Sequence, residues 1–258
     1  MEDAIEDVEF LVRSPTRVQL LVELADEPRS KRELRAQLGV DRTTVQRNLD
    51  ALGDRGWIRR NGTSYALDPC AELLVEEFGA FVEAVQLADR LQPVLRLIDP
   101  ELLDLDVRAF ADADVTTAKP GDPWAMVNAH VRRLAAMDEA TILIPLTGLN
   151  AKRTLHDRVV DHGARVELII SPSVLETFQT DPDYVPYYEA MRESGRAEYR
   201  VYEDEIPCYL GIIDEVVQLG VDEDGEPRAL LESRNDAVVA WAERTLSGFR
   251  EEAEPVTD

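Results

Sequence analysis

Lysine is nearly absent from this 258-residue chain: Lys31, Lys119 and Lys152 are the only three, and arginine supplies the rest of its 28 basic residues. Cysteine is as scarce. Cys70 and Cys208 have no CxxC spacing, which excludes a disulfide framework and a cysteine-based zinc site, and both are expected to be small buried hydrophobes. The only histidines are His130, His156 and His162. The last two fall off a shared helical face, and no carboxylate completes an HExxH spacing, so each is expected to be a surface or internally satisfied histidine. GxSxG and Walker sequences are missing, and His156-Asp157-Arg158 does not supply the HxK pair of phospholipase-D chemistry. No eighteen-residue apolar run exists, and the first thirty residues lack a basic start with an apolar core. These absences lead to an expected cytoplasmic chain with no membrane partner, no metal, no cofactor and no catalytic residues.

Carboxylate is abundant. Asp+Glu number 52 and the net charge is -24. Dense carboxylates with little lysine suit a protein kept soluble in very concentrated salt, so a halophilic source is expected. The charge is unevenly placed: residues 28–67 hold nine Lys+Arg against four Asp+Glu, whereas residues 68–258 hold 17 against 40. Asymmetry of this kind points to a nucleic-acid surface within 28–67.

That segment is also the best-patterned stretch of the chain. Ser30 with Glu33 three residues later is a capping box, Leu34 and Leu38 form an apolar i,i+4 pair, and Gly39 ends the helix. Asp41 caps a second helix with Val45, Leu49 and Leu52 inward. Trp57–Arg60 and Ser64–Leu67 then read as two strands around an Asn61-Gly62 turn. A helix, a tight turn, a helix and a basic hairpin make a winged helix-turn-helix. The face opposite Val45 and Leu49 carries Arg42, Thr43, Thr44, Gln46, Arg47 and Asn48, residue types that read base edges. Lys31, Arg32, Arg59 and Arg60 are placed to hold phosphates.

The run Ser30–Leu34, Leu38–Leu49, Leu52 and Arg55–Ile58 resembles the N-terminal domain of haloarchaeal winged-helix transcriptional regulators. The rest of the chain resembles the effector domain that follows in those proteins, related to methanogenesis-type archaeal regulators. Asp122-Pro123-Trp124, Ile142–Leu146, Glu203–Pro207 and a terminal Trp241–Phe249 helix carry that likeness. The resemblance implies an archaeal DNA-binding regulator with a sensing or dimerising C-terminal domain.

The expected fold is α+β, with a winged helix-turn-helix domain over 1–67 and a long linker or dimerisation helix over 68–98. An α/β domain with a mixed sheet follows over 99–252, then a frayed acidic tail over 253–258. The long helix is apolar at Leu73, Leu74, Phe78, Phe81 and Val85, more than one small domain covers, which predicts a homodimer. Gln92-Pro93 reads as a boundary, and Asp122-Pro123 as the cap of a helix from Trp124. Strands over 141–146, 165–170 and 198–202 alternate with helices and should be parallel, and a meander over 209–232 follows.

Ligands of such sheets bind beyond the carboxyl ends of the strands. Thr147, Gly148, Asn150, Ser171, Ser173 and Glu203 are therefore the effector-binding candidates. The functional expectation is a regulator that binds double-stranded DNA and answers to a small-molecule or protein effector. A protein-interaction module, or an α/β enzyme fused to a winged-helix domain, is the alternative.

Overall fold

The computed structural model describes residues 2–256. It divides into two compact units, Met1–Gln86 and Leu87–Asp258, so the division falls inside a helix rather than at either end of the expected linker.

In the first unit, α1 (Glu2–Val12), α2 (Pro15–Asp26), α3 (Lys31–Leu38) and α4 (Arg42–Asp54) are followed by the hairpin β2 (Ile58–Asn61) and β3 (Ser64–Leu67). A two-residue strand β1 (Arg29–Ser30), not foreseen in the sequence, adds to β3, giving the order β1-β3-β2. Ser30 and Glu33 form the reciprocal capping box, and Gly39 closes α3 in the left-handed region at φ 64°. Asn61 is still paired with Ser64, so the turn is Gly62-Thr63 rather than Asn61-Gly62. Gly62 takes φ 61°, as a hairpin with glycine at its first turn position requires. Leu20, Leu24, Leu34, Val45, Leu49, Leu52 and Trp57 form the core.

α5 (Pro69–Leu95) runs through Pro93 without ending. Its Leu74, Val75 and Phe78 pack in the first unit, while Leu91 and Val94 pack in the second. The boundary read at Gln92-Pro93 is thus helix interior.

The second unit is built on one sheet of eight strands, ordered β11-β7-β6-β5-β8-β9-β10-β4. These are β4 (Asp114–Thr117), β5 (Glu139–Ile144), β6 (Arg165–Ile170), β7 (Ala197–Val201), β8 (Tyr209–Ile213), β9 (Val216–Glu223), β10 (Glu226–Ser233) and β11 (Glu254–Pro255). As expected, β5, β6 and β7 are parallel; the remaining pairings are antiparallel. Period-two alternation sends Leu143, Ile169, Leu210, Val217 and Leu219 to one face, under α10 (Asp236–Glu252) and the end of α5. Ala140, Ile142, Ile144, Leu168 and Ile170 point to the other face. There they meet α7 (Leu149–His156), α8 (Pro172–Thr180) and α9 (Val185–Glu193). α6 (Ala125–Leu134) lies on that same face, with Met126 and Ala129 against Leu230.

Two local expectations are corrected. Asp122 does not cap α6: its backbone pairs with Lys119, its carboxylate accepts from Asn128, and α6 starts at Ala125 with no side-chain cap. The segment after α10 is not frayed through residue 256, because β11 pairs with β7 and Ala253 is buried. Residues 257–258 of that tail lie outside the described residues.

Candidate nucleic-acid interface and ligand cleft

α4 is fixed at its start by the Asp41 carboxylate, which accepts the amides of Thr43 and Thr44 at 2.8 and 2.9 Å. The Thr44 hydroxyl donates to the same carboxylate at 2.6 Å. These bonds hold the Asp41 carboxyl below its ordinary range, the Thr44 hydroxyl contributing most. Thr44 therefore spends its hydroxyl on the cap.

Arg42, Thr43 and Arg47 are exposed on α4, as is Arg32 on α3 and Arg59 on the hairpin. Arg32, Arg42, Arg47 and Arg59 enter no hydrogen bond or ion pair within the described chain. Gln46 accepts from Lys31 and donates to Asp50, linking α3 to α4, and Arg60 folds onto the carbonyl of Gly62 at 3.0 Å.

Asn48 departs from expectation. It is 1% exposed, its Oδ1 accepts from Arg17 Nε at 3.1 Å, and its Nδ2 donates to the Thr44 carbonyl at 3.0 Å. It ties α4 to α2 and is withdrawn from the reading face. Helical arithmetic carried the signal: Asn48 lies three residues after Val45 and four before Leu52, on the buried stripe. Arg17 went unnoticed in the sequence. Burial lowers its pKa first, and the charges of Arg55 and Arg47 lower it further, so α2, α4 and the residue that ends α4 bring three guanidinium groups into one field. Arg17 and Arg55 both lie over the Phe10 ring, at 3.8 and 3.4 Å from its centroid.

In the second unit, the sheet face between α6 and α7 opens into a cleft of about 350 Å³. Of the effector candidates, Thr147, Gly148 and Asn150 line it; Ser171, Ser173 and Glu203 do not. Ser171 instead caps α8, accepting from Val174 and bonding the Ser173 hydroxyl at 3.0 Å. Glu203 is exposed in the loop after β7.

Tyr209 lies along the cleft and occupies the space that side chains at Gly211 and Gly220 would need. A Cβ at Gly211 would stand 2.8 Å from its hydroxyl, and one at Gly220 would stand 3.2 Å from its Cβ. His130 meets the Tyr209 ring edge-on at 4.8 Å between centroids. Its Nδ1 lies 2.8 Å from Gln218 Oε1, and Gln218 Nε2 donates to Glu232, which also holds Arg133. The carboxylate fixes the amide orientation, so Gln218 Oε1 is an acceptor and His130 Nδ1 carries the proton. Burial lowers the His130 pKa and keeps the ring neutral, leaving Nε2 with a lone pair and no partner within the described chain.

Lys152, on α7, is 1% exposed and lines the cleft with Phe178. Its ammonium lies 3.9 Å from the Phe178 centroid and also faces Tyr199 and Tyr188, at 5.0 and 5.6 Å. One proton goes to Tyr199 Oη at 2.9 Å, and no carboxylate pairs with it. Burial pulls the Lys152 pKa down to about 7. The Tyr188 hydroxyl beside it is buried with no hydrogen-bond partner. The sequence marked His130 only as a surface or internally satisfied histidine and gave Lys152 and Tyr209 no role, because their surroundings come from distant elements.

Elsewhere, His156, Asp157 and Asp161 bring one ligand atom each to within 4.8 Å of one another. His156 Nδ1 is already held by Asp157 at 3.1 Å. Cys208 is buried, and burial pushes its thiol up to about 12; Cys70 is exposed, against expectation.

The family model described as the middle domain of the methanogenesis regulatory protein FilR1 matches residues 123–252, half of the chain. The chain belongs to the FilR1 middle-domain family. A second model, the HVO_A0261 N-terminal domain, matches residues 5–90. Every residue lining the cleft falls within the FilR1 span, and every nucleic-acid candidate falls within the other.

No curated protein matches the chain. Among solved structures it is similar to TrmBL2, described as an archaeal chromatin protein with a novel mode of DNA binding. The identity is 16% over 94% of each chain, with a TM-score of 0.44. It is also similar to Nuc from Salmonella typhimurium, described as a phospholipase D family member. There the identity is 14% over 57% of this chain and 98% of that one, with a TM-score of 0.41. At such scores neither likeness decides what the FilR1-family chain does. No helix among its described residues is long and apolar enough to cross a membrane.

Proposed function

We propose that this chain is a sequence-specific, DNA-binding transcriptional regulator that works as a homodimer and answers to a small ligand held in its FilR1 domain. The observation that carries the reading is the set of unpaired guanidinium groups on α3, α4 and the hairpin. In a chain of net charge -24, Arg32, Arg42, Arg47 and Arg59 enter no ion pair among the described residues. Arg42, Thr43, Gln46 and Arg47 are the proposed base readers, Thr44 orders the start of α4, and Lys31, Arg32, Arg59 and Arg60 meet phosphates. The family descriptions, a regulatory protein among them, agree with this. Selection of bound duplexes from a random pool tests it: one enriched motif is the expected result, and no enrichment over the input would contradict it.

Dimerisation is supported by apolar surface in the first unit. Ile5, Val8, Val22, Leu73, Phe81 and Val85 are all more than 40% exposed. Surface of that kind marks an interface, and helix-turn-helix readers pair on two half-sites. Phe81→Glu should convert a sedimenting dimer to a monomer at micromolar concentration. A wild-type chain that already sediments as a monomer would remove the dimer.

The acidic balance sets a further expectation. Carboxylates beside the DNA take up cations on binding, which opposes the counterion release from phosphates. Affinity should therefore fall with salt less steeply than about -0.9 per phosphate contact on a log–log plot. Anisotropy titrations across a tenfold salt range measure this, and a slope at that full value would contradict it.

A further inference from the structure

The cleft of the FilR1 domain is too apolar for a sugar or nucleotide and too charged at its inner wall for a neutral hydrocarbon. Ile142, Ile144, Leu146, Phe178, Tyr209 and Leu230 are among its apolar lining. Against them stands Lys152, a buried ammonium with three donors and one oxygen acceptor. The carboxylates at the rim have other partners: Asp222 accepts the Gly225 amide, and Glu226 pairs with Arg228. The first turn of α7 also borders the cleft through Gly148, Asn150 and Ala151, and its cap residue Gly148 has no side chain to satisfy the leading amides. A buried cation, uncapped amides and apolar walls are complementary to one chemistry.

We propose that the cleft binds a small organic acid with an aromatic or branched aliphatic body, its carboxylate received by Lys152 and the first turn of α7. At roughly 30 Å³ per group, as for water in the liquid, the cleft's volume suits about a dozen non-hydrogen atoms. The body lies against Tyr209, which Gly211 and Gly220 allow to rest close to the sheet. The Nε2 lone pair of His130 accepts a hydroxyl or N–H at the far end of the ligand and so favours acids that carry one. A carboxylate at Lys152 replaces the water the ammonium has lost and returns the proton affinity that burial removes.

This inference rests on reading the cleft as the regulator's ligand site. It is tested on the full chain without DNA, so a failure of DNA recognition leaves the result interpretable. The probes are phenylacetate, 3-methylbutanoate and the neutral isostere phenylacetamide. Binding is read by calorimetry and by the fluorescence of Trp124 at the cleft mouth. The acids should bind at least about tenfold more tightly than the amide, and Lys152→Met should erase that preference. With only three lysines in the chain, labelled lysine gives three signals by magnetic resonance. The Lys152 signal should titrate about 1–3 units higher with phenylacetate bound, a readout that needs no substitution. Equal affinity for acid and amide, an unmoved Lys152 midpoint, or no binding of any probe at millimolar concentration would each overturn the proposal.

Discussion

Alanine at both Arg42 and Arg47 should weaken binding to the selected operator by about 2–6 kcal/mol, while leaving the unfolding midpoint unchanged. Both side chains are exposed on α4 and bond nothing within the described chain, so their removal takes no internal contact away. Each is free to make a bidentate contact with a guanine edge, and such a contact is worth about 1–3 kcal/mol of discrimination. The loss should be larger on the operator than on random duplex, because phosphate contacts survive there. Anisotropy with the two duplexes separates these effects. An equal loss on both would turn the two arginines into phosphate holders and move base reading elsewhere. Asn48→Ala provides the contrast. It breaks the bonds to Arg17 and to the Thr44 carbonyl, so it should lower stability by about 1–3 kcal/mol and affect DNA only through α4 position.

Lys152→Met should make the protein more stable at pH 6, by on the order of 3 kcal/mol, and remove a rise in stability toward alkaline pH. The unfolded chain keeps this proton to a pKa near ~10.4, while the folded one releases it near 7. Between those values the unfolded state binds more protons, so unfolding free energy climbs with pH, by up to about 1.4 kcal/mol per unit. Below pH 7 both states are protonated and the cost of the buried charge is felt in full. Rings around the ammonium offset part of that cost, by about 0.5–2 kcal/mol in all. Urea unfolding of both proteins from pH 6 to 10 should show curves that converge at the alkaline end. Parallel curves would mean that the lysine is hydrated or paired in solution.

Local chemistry made the first unit readable. The capping box at Ser30 and Glu33, the left-handed Gly39 and the Asp41 cap involve residues two or three apart, and all formed as the sequence suggested. The hairpin turn moved by one residue because strand pairing extends through Asn61. Asn48 was misplaced for a different reason: its partner Arg17 lies 31 residues away, and a polar residue in a buried stripe looks exposed until that partner is known. In the second unit, the parallel run of β5, β6 and β7 followed from alternation of strands and helices. Of the candidates placed at strand ends, Thr147, Gly148 and Asn150 line the cleft beside α7. Ser171 and Ser173 do not, since α8 begins there, with Ser171 as its cap and Ser173 bonded to the Ser171 hydroxyl. The cleft's polar groups could not be found locally: His130 reaches Gln218 across 88 positions, and Lys152 reaches Tyr199 across 47.

The two-residue strand β11 has a consequence for crowding. Without it, β7 would leave a ladder of open amides and carbonyls at the margin of an otherwise large hydrophobic sheet. With it, the margin presents Glu254 and Pro255, one repelling other acidic molecules and the other unable to donate to an added strand. That border thereby resists the edge-to-edge addition of a further strand, using only a short acidic clip.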